Sequence, residues 1–115
     1  MTSDSIYHIC RLSEWQAARG AGVYGGSSQD NDDGFIHFSD RDQVVASAAK
    51  HRAGQTGLVL LGVDPRHLGA ALKWEPARNG QLFPHLYASL PLEAVTRVTP
   101  LVLGEDGRHR FPEDF

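Results

Sequence analysis

The spacing of hydrophobic and polar positions changes period several times along this chain, and each change marks an element. From Ser5 to Cys10 side chains alternate, with Ile6, His8 and Cys10 on one face and Tyr7 and Ile9 on the other, which predicts a strand. A helix follows: Ser13 with Gln16 forms a capping pair, Trp15 and Ala18 supply an apolar side, and Gly20 or Gly22 ends it. Alternation returns from Gly34 to Phe38, with Ile36 and Phe38 on one face and Phe35, His37 and Ser39 on the other. Asp40 with Gln43 caps a second helix, in which Val44, Val45, Ala48 and Ala49 recur to about Arg52, and Gly54 stops it. Leu58 to Val63 is nearly all apolar, the pattern of a central strand covered on both faces, and Asp64-Pro65 ends it. Shorter strands are predicted at Ala71 to Glu75 and His85 to Ala88, a single helical turn at Leu92 to Ala94, and a last long strand at Val95 to Leu103, interrupted at Pro100. Strands dominate and both helices come early, so the fold class is α+β rather than a regular alternation of strand and helix.

Two stretches carry no such period. Gly25 to Asp33, rich in Gly, Ser, Asp and Asn, reads as an acidic, mobile loop that leads into the His37 strand and could gate a cleft. The tail from Gly104 to Phe115 is polar and turn-rich, so poor order is expected there, and Pro112 argues against a final helix. No repeat or linker divides the chain, which predicts one domain over residues 1–115 with its core in about 5–103.

Composition narrows the function classes. The chain has 115 residues, 11 basic and 14 acidic side chains and a formal charge of -3, a balance that makes a large nucleic acid an unexpected partner while leaving room for a small basic pocket. One cysteine rules out an internal disulfide and a cysteine-based zinc cage. No apolar run approaches membrane-spanning length, and the first residues lack the pattern of a signal peptide, so a cytoplasmic location is expected. The oddity is 6 histidines against 1 Cys and 1 Met.

Three of the six, His8, His37 and His85, sit in predicted strands with apolar neighbours on the opposite face. Each alone fits a histidine hydrogen-bonded at a core edge. Three together in a small chain point to a half-buried cleft, where imidazole can both donate and accept. His51, His67 and His109 fall on a helix, a turn and the tail, and are expected to be solvated. A zinc site is disfavoured, because no His-x-x-x-His or His-Glu-x-x-His occurs, and no metal site is assigned. Cys10, two residues from His8 on one strand, reads as a small buried residue rather than a nucleophile, lacking the cationic surroundings a thiolate needs. Gln29 to Gly34 resembles a calcium loop only superficially, since Gln29 would be its first ligand. The glycines between Gly20 and Ser28 fit neither a Walker A loop nor a dinucleotide fingerprint. Arg52, at the end of the second helix after Lys50 and His51, suits the helix dipole and could also offer a forked donor to a phosphate.

Ile6-Tyr-His-Ile9, Asp33-Gly-Phe-Ile-His-Phe-Ser39, Leu60-Leu-Gly-Val-Asp64 and Leu82-Phe-Pro-His-Leu-Tyr87 resemble the markers of a small bacterial family, domain of unknown function 952, over about Ser5 to Leu103. That resemblance implies an ADP-ribosyltransferase-like fold, with two small mixed or antiparallel sheets framing a cleft. A more distant likeness is to the NAD-dependent RNA 2'-phosphotransferases, through Ile36-His-Phe-Ser39, His51-Arg-Ala-Gly54, Leu58 to Asp64 and Asn79-Gly80. It implies NAD or ADP-ribose as the ligand. His8 would contact a ribose, His37 and Ser39 would lie near nucleotide or phosphate, Arg52 would bind phosphate, and Tyr24 and Tyr87 would be close by. His8, His37 and His85 are then the candidate catalytic residues. The chain departs from the pattern in two places. His8-Ile-Cys10 stands where His-Gly-Ser or His-Gly-Thr is usual, and the late-strand glutamate has only Glu75 and Glu93 as candidates, with His85 in a comparable place. A module that binds a small anionic metabolite or a protein without catalysis is the alternative expectation.

Overall fold

The computed structural model describes residues 5–77, 80–112 and 115. Their elements are β1 (Ile6–Arg11), α1 (Leu12–Ala21), β2 (Val23–Tyr24), α2 (Ser28–Asp33), β3 (Ile36–His37), α3 (Arg41–His51), β4 (Leu58–Val63), β5 (Leu72–Pro76), β6 (Leu82–Leu86), β7 (Leu90–Pro91), β8 (Val95–Leu103) and β9 (His109–Arg110), with a 3-10 turn at Leu92–Ala94. The strands form three sheets ordered β1-β4-β8-β9, β2-β7 and β3-β6-β5, and every pairing is antiparallel. The class is α+β with two main helices, α1 and α3. The expected pair of mixed or antiparallel sheets is corrected to three sheets without parallel pairs. The Tyr24–Leu90 pairing is too short to be seen as a period.

β1 and β4 explain why the core has two halves. All six residues of β4 are buried, as its uninterrupted apolar run predicts, because it lies between β1 and β8 with side chains packed on both faces. Ile6 and Cys10 of β1 join Val59, Leu61 and Val63 in one cluster, completed by Trp15 and Ala18 of α1, Tyr24, Leu90, Ile36, Phe38 and Leu86. Tyr7 and Ile9 point the other way, into a second cluster with Leu58, Leu60, Leu101 and, from α3, Val44 and Ala48. Strand alternation thus assigns each β1 side chain to its layer.

Several boundaries move for physical reasons. Helix α1 starts two residues earlier than Ser13 suggests, because Glu14 Oε1 accepts from the Arg11 backbone N–H at 2.8 Å, and it runs through Gly20 to end at Gly22 in the left-handed region (φ 89°). α3 follows its predicted cap: Asp40 accepts from Gln43 N at 2.8 Å and Gln43 accepts from Asp40 N at 3.0 Å. Of its four apolar positions Val44 and Ala48 are buried, and Val45 faces outward. β6 begins three residues before His85 and contains Pro84. The proline's missing N–H falls on the β3 side just beyond the last β3 pairing, where its carbonyl still accepts from Phe38 N at 3.0 Å. β8 runs unbroken through Pro100. Its irregularity lies instead opposite Gly62 and Val63, where Thr96 is the extra residue and its Oγ1 donates to Gly62 O at 3.2 Å.

The tail is a further correction. β9 forms a hairpin with β8, and Phe111 and Phe115 pack on the second cluster. His109, expected to be solvated, is buried, with Nε2 donating to Gln55 O at 2.7 Å. His51 and His67 are exposed, as expected. No helix among the described residues is long and apolar enough to cross a membrane.

Candidate functional site

The register of the β3-β6-β5 sheet builds one wall of a site. His37 pairs with His85, and His85 with Lys73, so three basic residues form one row across the three strands. Alternation puts Phe83 and Glu75 on the same face, while Ile36, Leu86 and Leu72 turn to the core. Opposite that wall lie β1 and α3. Between them is a cavity of about 370 Å³ lined by His8, His37 and His85, by Ser39, Ser47 and Arg52, by the aromatic rings of Tyr7, Phe35, Phe38 and Phe83, and by Ser27 and Asp30. That volume lies at the lower end of small-ligand sites, roughly 300–1,000 Å³.

The three suspected histidines therefore converge, but they are not equivalent. His8 is 3% exposed. Its Nδ1 lies 2.6 Å from the His37 carbonyl oxygen, which can only accept, so Nδ1 carries the proton. Burial first of all pushes the His8 pKa down, against the pull of Asp30, so the ring is neutral at pH 7. Nε2 is then an acceptor, and the Tyr24 hydroxyl donates to it at 2.7 Å. Both nitrogens of His8 are thus engaged inside the protein. Tyr24 is buried behind His8 and is not part of the cavity lining. Burial also raises the Tyr24 phenol and pushes the Cys10 thiol up to about 12, which leaves Cys10 an inert core residue.

His37 is clamped between two carboxylates. Nδ1 is hydrogen-bonded to Asp30 Oδ1, and Nε2 lies 3.0 Å from Asp33 Oδ2. His85 is different. Its Nδ1 meets Glu75 Oε1 at 2.8 Å, its ring stacks on Phe35 with centroids 4.1 Å apart, and its Nε2 has no hydrogen-bond partner among the described residues. Glu75 Oε1 also accepts from the Tyr87 hydroxyl at 2.6 Å, and these two bonds draw the Glu75 pKa down. Tyr87 packs against Phe35 but is exposed and outside the lining. Glu93 sits in the 3-10 turn at Leu92–Ala94, away from the cavity lining. Asn79 lies outside the described residues.

Asp30 is the residue the sequence pattern concealed. Gly25 to Asp33, read as a mobile loop, contains α2. Ser27 Oγ accepts from Asp30 N at 3.3 Å, and Asp30 Oδ2 accepts from Ser27 N at 2.7 Å. Ser27-x-x-Asp30 is thus a reciprocal capping pair, the signal from which this helix could have been found. The Asp30 carboxylate also takes Ser27 Oγ at 3.0 Å, His37 N at 3.1 Å and the His37 ring. Burial alone would raise its pKa, but the hydrogen bonds from the His37 ring and from the Ser27 and His37 backbone outweigh burial and hold it at about 2. Gly26 makes this packing feasible. Its φ is +99°, and a Cβ there would meet Asp30 Cβ at 2.8 Å and Ile36 Cγ1 at 3.2 Å.

On the opposite side, Ser39 Oγ donates to Ser47 Oγ at 3.2 Å. Arg52 caps α3 and reaches under β1, donating from Nη2 to Ile9 O at 3.1 Å and from Nη1 to Gln55 Oε1 at 3.2 Å. A guanidinium has five N–H donors, so Arg52 keeps several in reserve, and no carboxylate among the described residues pairs with it. No group of three or more His, Cys, Asp or Glu side chains among the described residues is arranged to hold a metal ion.

Comparison with solved structures finds relatives of this fold. The crystal structure of protein CC0527 from Caulobacter crescentus, a structural genomics target, is 46% identical, covers 92% of this chain and 93% of its own, and superposes with a TM-score of 0.89. The solution NMR structure of the same protein matches at 47% identity over 90% of each chain, with a TM-score of 0.81. A comparison with curated proteins found no match. The family model described as "Protein of unknown function (DUF952)" matches residues 9–98, a span that holds His37, Arg52 and His85, and the chain belongs to that family.

Proposed function

We propose that the cavity binds a small phosphate-bearing nucleotide of the NAD or ADP-ribose type. The observation that carries this reading is Arg52: a guanidinium with unused donors and no carboxylate partner among the described residues, lining a cavity with aromatic rings, hydroxyls and histidines, where the Asp30 carboxylate is taken up by Ser27 and His37. A forked cation suits phosphate, aromatic faces suit a base, and Ser39 and Ser47 suit sugar or phosphate oxygens. The resemblance of the strand motifs to the ADP-ribosyltransferase-like proteins, together with antiparallel sheets meeting at a cleft, supports a fold relationship of that kind. A cavity of about 370 Å³ accommodates one nucleotide unit, and a dinucleotide would extend along its open rim.

Binding is favoured over ribosyl transfer because of the carboxylates. Stabilising an oxocarbenium-like ribosyl centre calls for an anionic oxygen facing the sugar. Asp30 is the carboxylate in the lining, and it is consumed by four hydrogen bonds to Ser27 and His37. Glu75 lies behind His85. A non-catalytic module for a nucleotide or another small anionic metabolite is therefore the better reading.

Titration of the full chain with NAD, ADP-ribose and AMP, followed by backbone amide NMR shifts, tests it. Saturable shifts are expected at residues lining the cavity, weakened at least tenfold in Arg52→Ala. No binding at millimolar ligand overturns the proposal. Nicotinamide release from NAD by the wild-type chain would replace binding with transfer.

A further inference from the structure

Of the ionisable side chains that line the cavity, His8 and Asp30 are satisfied by the protein itself, and both ring nitrogens of His37 face carboxylates. His85 alone among the three suspected histidines presents a nitrogen without a partner among the described residues. The direction of its other bond decides what that nitrogen can do. Glu75 Oε1 accepts from the Tyr87 hydroxyl and also faces His85 Nδ1 at 2.8 Å; a carboxylate oxygen can only accept, so Nδ1 of the neutral ring carries the proton. Nε2 then holds the lone pair. The ring is kept in plane by its stack on Phe35, 4.1 Å between centroids and 28° between planes, and Phe35 is in turn braced by Tyr87 at 5.2 Å.

We propose that His85 is the specificity-determining residue of this cavity, accepting through Nε2 a hydrogen bond from a ligand hydroxyl, and that Glu75 with Tyr87 is the positioning pair that fixes its tautomer. The ligand class that follows combines a hydroxyl donor for His85 with an anionic group for Arg52, as a phosphorylated ribose does. This deepens the nucleotide reading and rests on it, but it moves sugar recognition from His8, whose nitrogens are engaged internally, to His85. An acceptor that a bound ligand shuts off from water discriminates strongly, because a ligand lacking the donor leaves that acceptor unpaired.

Two measurements test the proposal. The first needs no ligand: two-bond proton–nitrogen NMR correlations of the His85 ring at pH 8.5 report the neutral tautomer. The Nδ1–H form is expected in the wild-type chain, with reversion to the Nε2–H form in Glu75→Ala. An Nε2–H ring in the wild type overturns the positioning claim. The second compares 5'-AMP with its 2',3'-dideoxy counterpart. The wild-type chain is expected to bind the hydroxylated ligand at least tenfold more tightly, and His85→Phe, which keeps a stacked ring on Phe35, to reduce the preference to within twofold. A preference that survives in His85→Phe, or no preference in the wild type, overturns the recognition claim and leaves nucleotide binding standing. Absence of binding by both AMP forms to the wild type overturns both.

Discussion

Replacing Asp30 by Asn tests the network that holds the site together, because the change is nearly isosteric and removes only charge and acceptor capacity. The carboxylate accepts Ser27 N and Oγ on one oxygen, and His37 N and the His37 ring on the other. An asparagine can turn its oxygen to one side only. Its NH2 group then faces a backbone N–H, of Ser27 or of His37, that cannot reverse its polarity. A carboxyl held at about 2 instead of 3.8 is stabilised by roughly 2 kcal/mol in its ionised form. Leaving a buried N–H unpaired adds about 1–3 kcal/mol. Asp30→Asn is therefore expected to cost about 3–5 kcal/mol at pH 7, a large share of the roughly 5–15 kcal/mol typical of a domain. The pH dependence identifies the cause. A depressed carboxyl contributes in full above the unfolded value and loses its contribution as pH falls through the folded one, so about 1 kcal/mol of the difference disappears by pH 3. Urea unfolding of both chains at pH 7, 5, 4 and 3 measures this. A loss below about 1 kcal/mol at pH 7, or a difference that stays constant down to pH 3, refutes the account of Asp30 as an ionised hub.

Further predictions address the other parts. His8→Gln should flatten the acid side of the stability profile: the folded chain keeps His8 neutral while the unfolded chain takes up its proton below about pH 6.5, so wild-type stability falls as pH drops, and the urea midpoint of the variant should fall less between pH 7 and 5. Gly26→Ala combines a left-handed φ with a 2.8 Å contact to Asp30 Cβ and should cost about 2–4 kcal/mol in urea unfolding, whereas Gly20→Ala, in a helix with nothing near its Cβ, should be neutral or stabilising. Removing residues 105–115 strips β9, Phe111 and Phe115 from the second core and should lower stability by roughly 2–4 kcal/mol, while a truly disordered tail would leave the urea midpoint unchanged. Arg52→Ala should lose about 1–2 kcal/mol of stability through its bond to Ile9 O, read as a lower urea midpoint of a chain that still unfolds in one transition.

Long apolar periods were legible in the chain, and short or paired features were not. β4 could be read because six consecutive buried positions leave a continuous apolar run, and α3 because its cap and its apolar side agree. β2 and β7 are two residues each, too short to show a period, and exist because a partner strand supplies the hydrogen bonds, whereas the two residues of β3 sit inside the alternating run from Gly34 to Phe38. β9 was hidden by its composition: Arg108, Arg110 and Asp106 are polar at the surface, while His109, Phe111 and Phe115 face inward. The acidic segment before Gly34 misled for a related reason. Five of its last six residues from Ser28 to Asp33 are polar carboxylates or amides, so no apolar stripe marks α2, and its stability comes from the cap and from Asp30 reaching inward.

The site shows the same limit at the level of atoms. Strand alternation put His37, Phe35 and Ser39 on one face, and all three line the cavity, although Phe38 from the opposite face lines it too. It could not rank the histidines, because the chemistry of an imidazole depends on what faces each nitrogen. The partners come from distant segments: His8 is fixed by Tyr24 and the His37 carbonyl, His37 by a helix that carried no apolar signal, and His85 by Glu75 on the neighbouring strand. A family motif read residue by residue therefore overweights His8, the most recognisable position, which here acts as a buried crosslink between β1, β2 and β3. The open lone pair belongs to the histidine whose supporting residues, Glu75 and Tyr87, lie on β5 and just past β6. If ligand selectivity follows Glu75 and His85 while stability follows His8 and Asp30, then the row of histidines is divided between a scaffold and a reader, and substitutions at the two ends should separate the two properties.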